Sequence, residues 1–241
     1  MALIEMLYPE VCCLFGDTFN VNYLAECEPD IEVVRTGLND RPAFLTRPVS
    51  MIYMGPMPEN VQEIVIEKLR PYRDKLQEMI ENDVVFLAVG NAMEIFGQYI
   101  EYEEKKMRLP GLGLLPFYAV CRMMKRYNSL YRGSFAPDDA EEIDIIGFKS
   151  QFSKIYGSET GCLFKTIREA FPEDTAHDEG YRTHNFFGTF LLGPVLIRNP
   201  YFARYLLRKM GYVQPHLAYE KLVTDIYRQR LTEFRNPEIR Y

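Results

Sequence analysis

Val84-Val-Phe-Leu-Ala-Val-Gly90-Asn-Ala-Met-Glu-Ile-Phe-Gly97 joins a six-residue apolar run to a glycine and then to apolar residues at helical spacing. A short, wholly apolar run bounded by turn residues is the pattern of a strand buried on both faces, which is characteristic of parallel sheets. Gly90 is expected to open a sharp turn into a short helix, with Ala92, Ile95 and Phe96 directed at the sheet. Upstream, Leu3–Leu7, Ile31–Val34 and Val49–Met54 are similar apolar runs. Between the last of them and Val84, residues Glu59 to Asn82 place Val61, Ile64, Val65, Leu69, Leu76, Met79 and Ile80 on one helical face, with Pro71 kinking that helix or starting a second. Strand, helix, strand in this order is a right-handed βαβ crossover, which builds an open sheet covered on both faces.

Downstream the pattern changes. Pro110, Gly111, Gly113 and Pro116 punctuate the chain, and strand-like pieces at Leu130–Phe135 and Ile143–Phe148 flank the acidic turn 137–142. They predict an antiparallel extension of a mostly parallel α/β sheet. Phe186–Leu192 reads as a last buried strand closed by Gly193-Pro194, and Pro200 opens an amphipathic helix. His216–Phe234 reads as one more helix with Leu217, Leu222, Ile226 and Leu231 as its apolar stripe; packing on the domain is its default role and an interaction arm the alternative. The expected organisation is one domain over residues 1–212 with a helical extension, 213–241, packed on it.

Composition excludes several classes. With 241 residues, 47% hydrophobic and 26% charged, the chain suits one soluble α/β domain, with no apolar run long enough to span a membrane. Its start carries Glu5 and no basic lead, so it reads as a first strand and the cytoplasm is the expected location. A net charge of −6 argues against nucleic acid as a partner, and the basic cluster Arg198, Arg204, Arg208 and Lys209 reads as a solvated helix surface. The five cysteines (Cys12, Cys13, Cys27, Cys121, Cys162) form no CxxC pair and no disulfide framework; the three histidines (His177, His184, His216) share no helix turn, so no metal site is expected. No P-loop, GxGxxG or Ser-His-Asp order appears, and no cofactor is expected.

Four stretches in this order carry a resemblance: Leu14-Phe-Gly-Asp17 with Asn20; Leu87 to Gly97; Pro110-Gly-Leu-Gly-Leu-Leu115; and Gly180-Tyr-Arg through Phe187-Gly-Thr-Phe-Leu-Leu-Gly-Pro194 with Asn199-Pro200. Together they resemble the cobyric-acid-synthase-like class I glutamine amidotransferases, in particular the amidotransferase subunit of lipid II isoglutaminyl synthase. The resemblance covers roughly residues 1 to 211 and implies a flavodoxin-like class I amidotransferase fold.

It also implies a chemistry. In such enzymes a cysteine thiolate on a tight strand-to-helix turn attacks the glutamine amide, an oxyanion hole stabilises the tetrahedral intermediate and a histidine shuttles protons. The residue matching the cysteine is Gly90, and the residue matching the histidine is Leu192. The Gly-Gly step of the oxyanion loop is Gly55-Pro56, and proline has no backbone N–H. Glu94 stands for a glutamine and adds negative charge that opposes a thiolate. His184, eight residues before Leu192, lies about 26 Å away along a strand and cannot substitute. Cys12 and Cys13 follow the first strand and could approach the carboxyl edge of the sheet, although buried thiols near a turn are the simpler reading.

Three readings follow. The first is a non-catalytic amidotransferase-like protein kept for binding or regulation, with a Mur-ligase-like or other synthetase as the partner that the resemblance suggests; an exposed apolar patch would favour it. The second is an enzyme that uses other residues or another ligand in the same pocket, with Gly55, Asn91, Glu94 and Arg126 as candidate lining residues; perturbed carboxylates near Gly90 would favour it, and a pocket filled by Leu192, Met93 and Met54 would count against it. Arg126 also reads as a solvated surface arginine. The third keeps ordinary activity with the catalytic cysteine displaced, but no cysteine here precedes a Gly-rich, helix-starting pattern.

Overall fold

The computed structural model describes residues 2–138, 141–157, 161–169, 178–236 and 238. His177 and part of the acidic turn, residues 139–140, lie outside the described residues. In chain order the strands are β1 (Leu3–Leu7), β2 (Glu32–Thr36), β3 (Met51–Met54), β4 (Val85–Val89), β5 (Tyr99–Tyr102), β6 (Met107–Pro110), β7 (Tyr118–Cys121), β8 (Tyr127–Phe135), β9 (Ile143–Gln151), β10 (Ser153–Tyr156), β11 (Lys165–Glu169), β12 (Tyr181–Thr183) and β13 (Phe186–Thr189). The helices are α1 (Phe19–Cys27), α2 (Gln62–Leu69), α3 (Arg73–Glu81), α4 (Val195–Arg198), α5 (Pro200–Lys209) and α6 (Glu220–Arg235). No helix among the described residues is long and apolar enough to cross a membrane.

The main sheet has the order β12-β13-β4-β3-β1-β2, parallel throughout except for β12. β4 is central because its five residues are all buried, and side chains alternate between two cores, as the pleat requires. Val85, Leu87 and Val89 join Val21, Leu24, Phe202 and Leu206 on the face covered by α1, α4 and α5. Phe86 and Ala88 join Val65, Leu69, Leu76 and Phe117 on the face covered by α2, α3 and the four-stranded sheet β10-β7-β5-β6. Pro71 stands in a 3-10 turn, Arg70–Tyr72, between α2 and α3, so it separates two helices as the sequence suggests.

The antiparallel strands build more than an extension. β12 is the antiparallel edge of the main sheet, but β8 pairs with β9 on one side and β11 on the other in a sheet of their own. A further sheet, β10-β7-β5-β6, covers one side of the molecule. The segment after β4 forms two 3-10 turns, Gly90–Ala92 and Glu94–Phe96, instead of a regular α-helix; Ala92, Ile95 and Phe96 are buried as expected. The regular part of the last strand stops at Thr189, and Leu191 makes one isolated bridge to Lys149.

The last helix corrects the expected stripe. Val223, Tyr227 and Leu231 face inward, while Leu222 and Ile226 are 59% and 48% exposed. Leu217, ahead of the helix, is buried.

Candidate functional site

Parallel pairing fixes where the site lies. Met54 is in register with Ala88, and Val89 with Thr189, so the chain leaves β3, β4 and β13 at one edge of the sheet. Those exits are Gly55-Pro56, Gly90-Asn91 and Phe190–Leu192. The carboxyl edge of an open α/β sheet is where such folds bind ligands.

Gly90 has φ +62°, a left-handed conformation that glycine adopts without steric cost. A Cβ built on it would lie 2.8 Å from Pro56 Cβ and 3.2 Å from Leu192 Cδ2. Thus Gly90 holds a left-handed turn, and the space above it is filled by Pro56 and Leu192. Met93 and Met54 do not fill it: Met93 packs under Gly188, and Met54 is part of the core. Gly55 sits behind the pocket, where a Cβ would meet the Cys12 carbonyl oxygen at 2.6 Å.

Asn91 ties two loops together. Its Nδ2 donates to the Met57 carbonyl at 2.7 Å, and its Oδ1 accepts the Met57 N–H at 3.0 Å. Pro56 has no N–H to offer, and the next one along the loop is already engaged.

Glu94 is buried; its Oε2 accepts from Gln62 Nε2 at 3.0 Å, and Gln62 Oε1 accepts from the Tyr102 hydroxyl at 2.8 Å. Its Oε1 has no hydrogen-bond partner among the described residues. Burial raises the Glu94 carboxyl to about 7, with Gln62 and Ser153 pulling it down and Glu59 adding to the rise. Asp17, quoted in the sequence only as part of a scaffold motif, is a second such group. Burial raises it to about 8 against the opposing pull of Asn20, whose Nδ2 donates to Oδ1 at 3.2 Å, and of Arg198. Its Oδ2 has no partner among the described residues. The Asp17/Asn20 spacing after the first buried strand was the available signal; burial of the carboxyl was not readable.

Gly90, Asn91, Glu94, Arg126, Pro56 and Leu192 line one small cavity of about 70 Å³. Arg126 is exposed and lies over the Phe152 ring at 4.7 Å. His184 stands at the opposite end of β13, half-exposed beside Asp83 at 3.4 Å. Cys12 is buried, which pushes its thiol up, and burial pushes Cys121 up to about 12; neither favours a thiolate. Sequence reasoning also missed Glu179, buried between β11 and β12, which accepts from the Phe190 N–H at 2.6 Å and the Thr189 hydroxyl at 2.9 Å and so fixes the path from β13 to Leu192.

Comparison with known proteins places the chain in a family. The chain is 25% identical over 242 residues to the lipid II isoglutaminyl synthase (glutamine-hydrolyzing) subunit GatD of Streptococcus pneumoniae, covering 95% of this chain and 88% of the relative. It is 24% identical over 199 residues to the same subunit of Staphylococcus aureus, covering 81% and 79%. Among solved structures, a glutamine amidotransferase from Thermotoga maritima superposes with a TM-score of 0.50 at 11% identity over 99% of both chains. A second glutamine amidotransferase gives 0.50 at 12% identity, covering 87% of this chain and 99% of the other. With residues 4–200 matching the family as a whole, the chain belongs to the CobB/CobQ-like glutamine amidotransferase domain family.

Proposed function

We propose that this chain is a non-catalytic amidotransferase-like protein, acting in the cytoplasm as a binding or regulatory subunit. Residues 1–212 are its amidotransferase-like domain and 213–241 its extension, with a Mur-ligase-like or other synthetase as its partner. One observation carries the reading: position 90 bears no side chain, and a Cβ there would crowd Pro56 and Leu192, which occupy the space above it. The subunit names of the relatives support the partner.

The perturbed carboxylates Glu94 and Asp17 favour a second reading, an enzyme using Gly55, Asn91, Glu94 and Arg126 on another ligand. Against it stands the cavity of about 70 Å³, far below the roughly 300 Å³ at which small-molecule sites begin. Ammonia release from glutamine is the test, read on the unmodified protein and on a Pro56→Gly/Gly90→Cys/Leu192→His variant. The expected result is silence from the first and detectable release from the second. Release by the unmodified protein above a boiled control would overturn the non-catalytic reading.

A further inference from the structure

Helix α6 carries two apolar faces. The inner one, Val223, Tyr227 and Leu231, is buried on the domain. Leu222 and Ile226, at i and i+4, form the outer one and are 59% and 48% exposed, with Tyr219, the left-handed residue just ahead of the helix, 64% exposed beside them. They stand along a groove of about 690 Å³ whose other wall is β8 and β9, through Leu130, Ile146 and Phe148. On α6 the lining residues run from Leu222 to Phe234, so this wall is roughly 18 Å long at 1.5 Å per residue. A continuous apolar strip of this kind is a binding surface more often than an accident of composition.

The backbone says which secondary structure can dock. β9 is the edge of its sheet, and a free edge would invite a strand. That edge is already closed: the Ile146 N–H donates to Asn199 Oδ1, Asn199 Nδ2 donates back to the Ile146 carbonyl, both at 2.9 Å, and the Leu192 N–H donates to the Phe148 carbonyl at 2.8 Å. Recognition is therefore left to side chains, and a groove of about three turns' length lined by anchors at helical spacing fits a helix.

Charge sets the sign of the occupant. On a chain of net charge −6, two arginines stand at this groove. Arg230 is matched by Glu233 at 2.9 Å. Arg198 donates only to the Leu192 carbonyl, at 3.4 Å, and has no carboxylate at ion-pair distance among the described residues. Its neighbour Asp17 is buried, where a carboxyl resists ionisation. Arg198 is thus an unmatched cation at the end of the groove that adjoins Leu192.

We propose that this groove docks an amphipathic helix of the synthetase partner, with apolar anchors over Leu222, Ile226 and Phe148 and an acidic residue paired with Arg198. The inference rests on the partner part of the proposed function. It puts the partner against Leu192, so docking and the altered pocket are read by the same surface.

The test uses the full-length protein and the purified Mur-ligase-like synthetase of its native host, with binding followed by interferometry and by hydrogen exchange over residues 219–234. The expected result is binding by the unmodified protein with slowed exchange on α6, a loss of tenfold or more in affinity for Leu222→Glu/Ile226→Glu, and a several-fold slower association for Arg198→Glu. Both altered residues of the double variant point away from the core, and unchanged circular dichroism melting confirms that it folds. Equal binding by the double variant overturns the groove while leaving the partner standing. No binding by the unmodified protein overturns both. A dimer of this chain in light scattering that the double variant dissolves would assign the groove to a second copy and overturn the proposal. The glutaminase assay judges the non-catalytic reading separately from all of these.

Discussion

Gly90 holds its left-handed backbone without strain only as glycine, and the two groups above it are in van der Waals reach of any Cβ. Gly90→Ala is expected to destabilise by about 2–4 kcal/mol, part from the backbone and part from overpacking against Pro56. Pro56→Gly on that background should recover the packing part, as read by urea denaturation; a Gly90→Ala protein as stable as the parent would refute the geometry. Glu94 and Asp17 make a pH prediction at the same scale. Both carboxyls titrate higher in the folded protein, to about 7 and about 8, than at their ordinary values of 4.5 and 3.8. The folded state therefore holds more protons than the unfolded one in between, and stability falls as pH rises. Their contribution is fully present below about 4 and lost as pH passes through 7 and 8. Glu94→Gln should raise stability at pH 8 by on the order of 2 kcal/mol, read as a higher melting temperature, and give no gain at pH 4. A gain independent of pH would show that the carboxyl is not buried in its charged form.

Among the elements, α6 is the one whose presence was readable and whose orientation was not. Leu222 and Ile226 form as regular an apolar stripe as Val223 and Tyr227, one residue and about 100° further round. Hydrophobicity cannot choose between them; contact with Ile146 and the hydrogen bond from the Tyr227 hydroxyl to the Asp144 carbonyl at 2.8 Å do. Leu231→Ala should therefore cost about 2–3 kcal/mol in thermal or chemical unfolding, while Leu222→Ala should change the isolated protein by less than about 0.5 kcal/mol. Asn199 closes the β9 edge with three side-chain hydrogen bonds, to Ile146 twice and to the Val195 carbonyl. Asn199→Ala should leave buried Ile146 groups unpaired and cost about 2–4 kcal/mol, with hydrogen exchange at Ile146 accelerating first. Pro71 was legible because proline's fixed φ and missing N–H act locally; the short helix expected after Gly90 was not, because its 3-10 form is held by contacts with the Pro110–Leu115 segment, such as Leu112 N–H to the Ile95 carbonyl at 2.8 Å.

In the whole molecule, the candidate cavity draws residues from Leu14 to Leu192 into one place, and its volume depends on all of them. At about 70 Å³ it does not enclose a glutamine. Glutamine at about 10 mM should shift the melting temperature by less than about 1 °C, and a saturable shift of several degrees would mean that the pocket opens. The sequence alone determined that β1 to β4 are buried strands of a parallel sheet, the strand-turn at Gly90 and the family resemblance, on which the proposed roles of positions 90 and 192 rest. These are local or periodic properties: apolar runs, turn residues and side-chain identity are carried by the chain itself. Only the tertiary structure decided that Pro56 and Leu192 meet over Gly90, that Asp17 and Glu94 lose water, that β8, β9 and β11 leave the main sheet, and that α6 turns Leu222 and Ile226 outward. Each of those depends on which distant segment lands against which, and volume, burial and the dielectric around a carboxyl exist only once that contact is made.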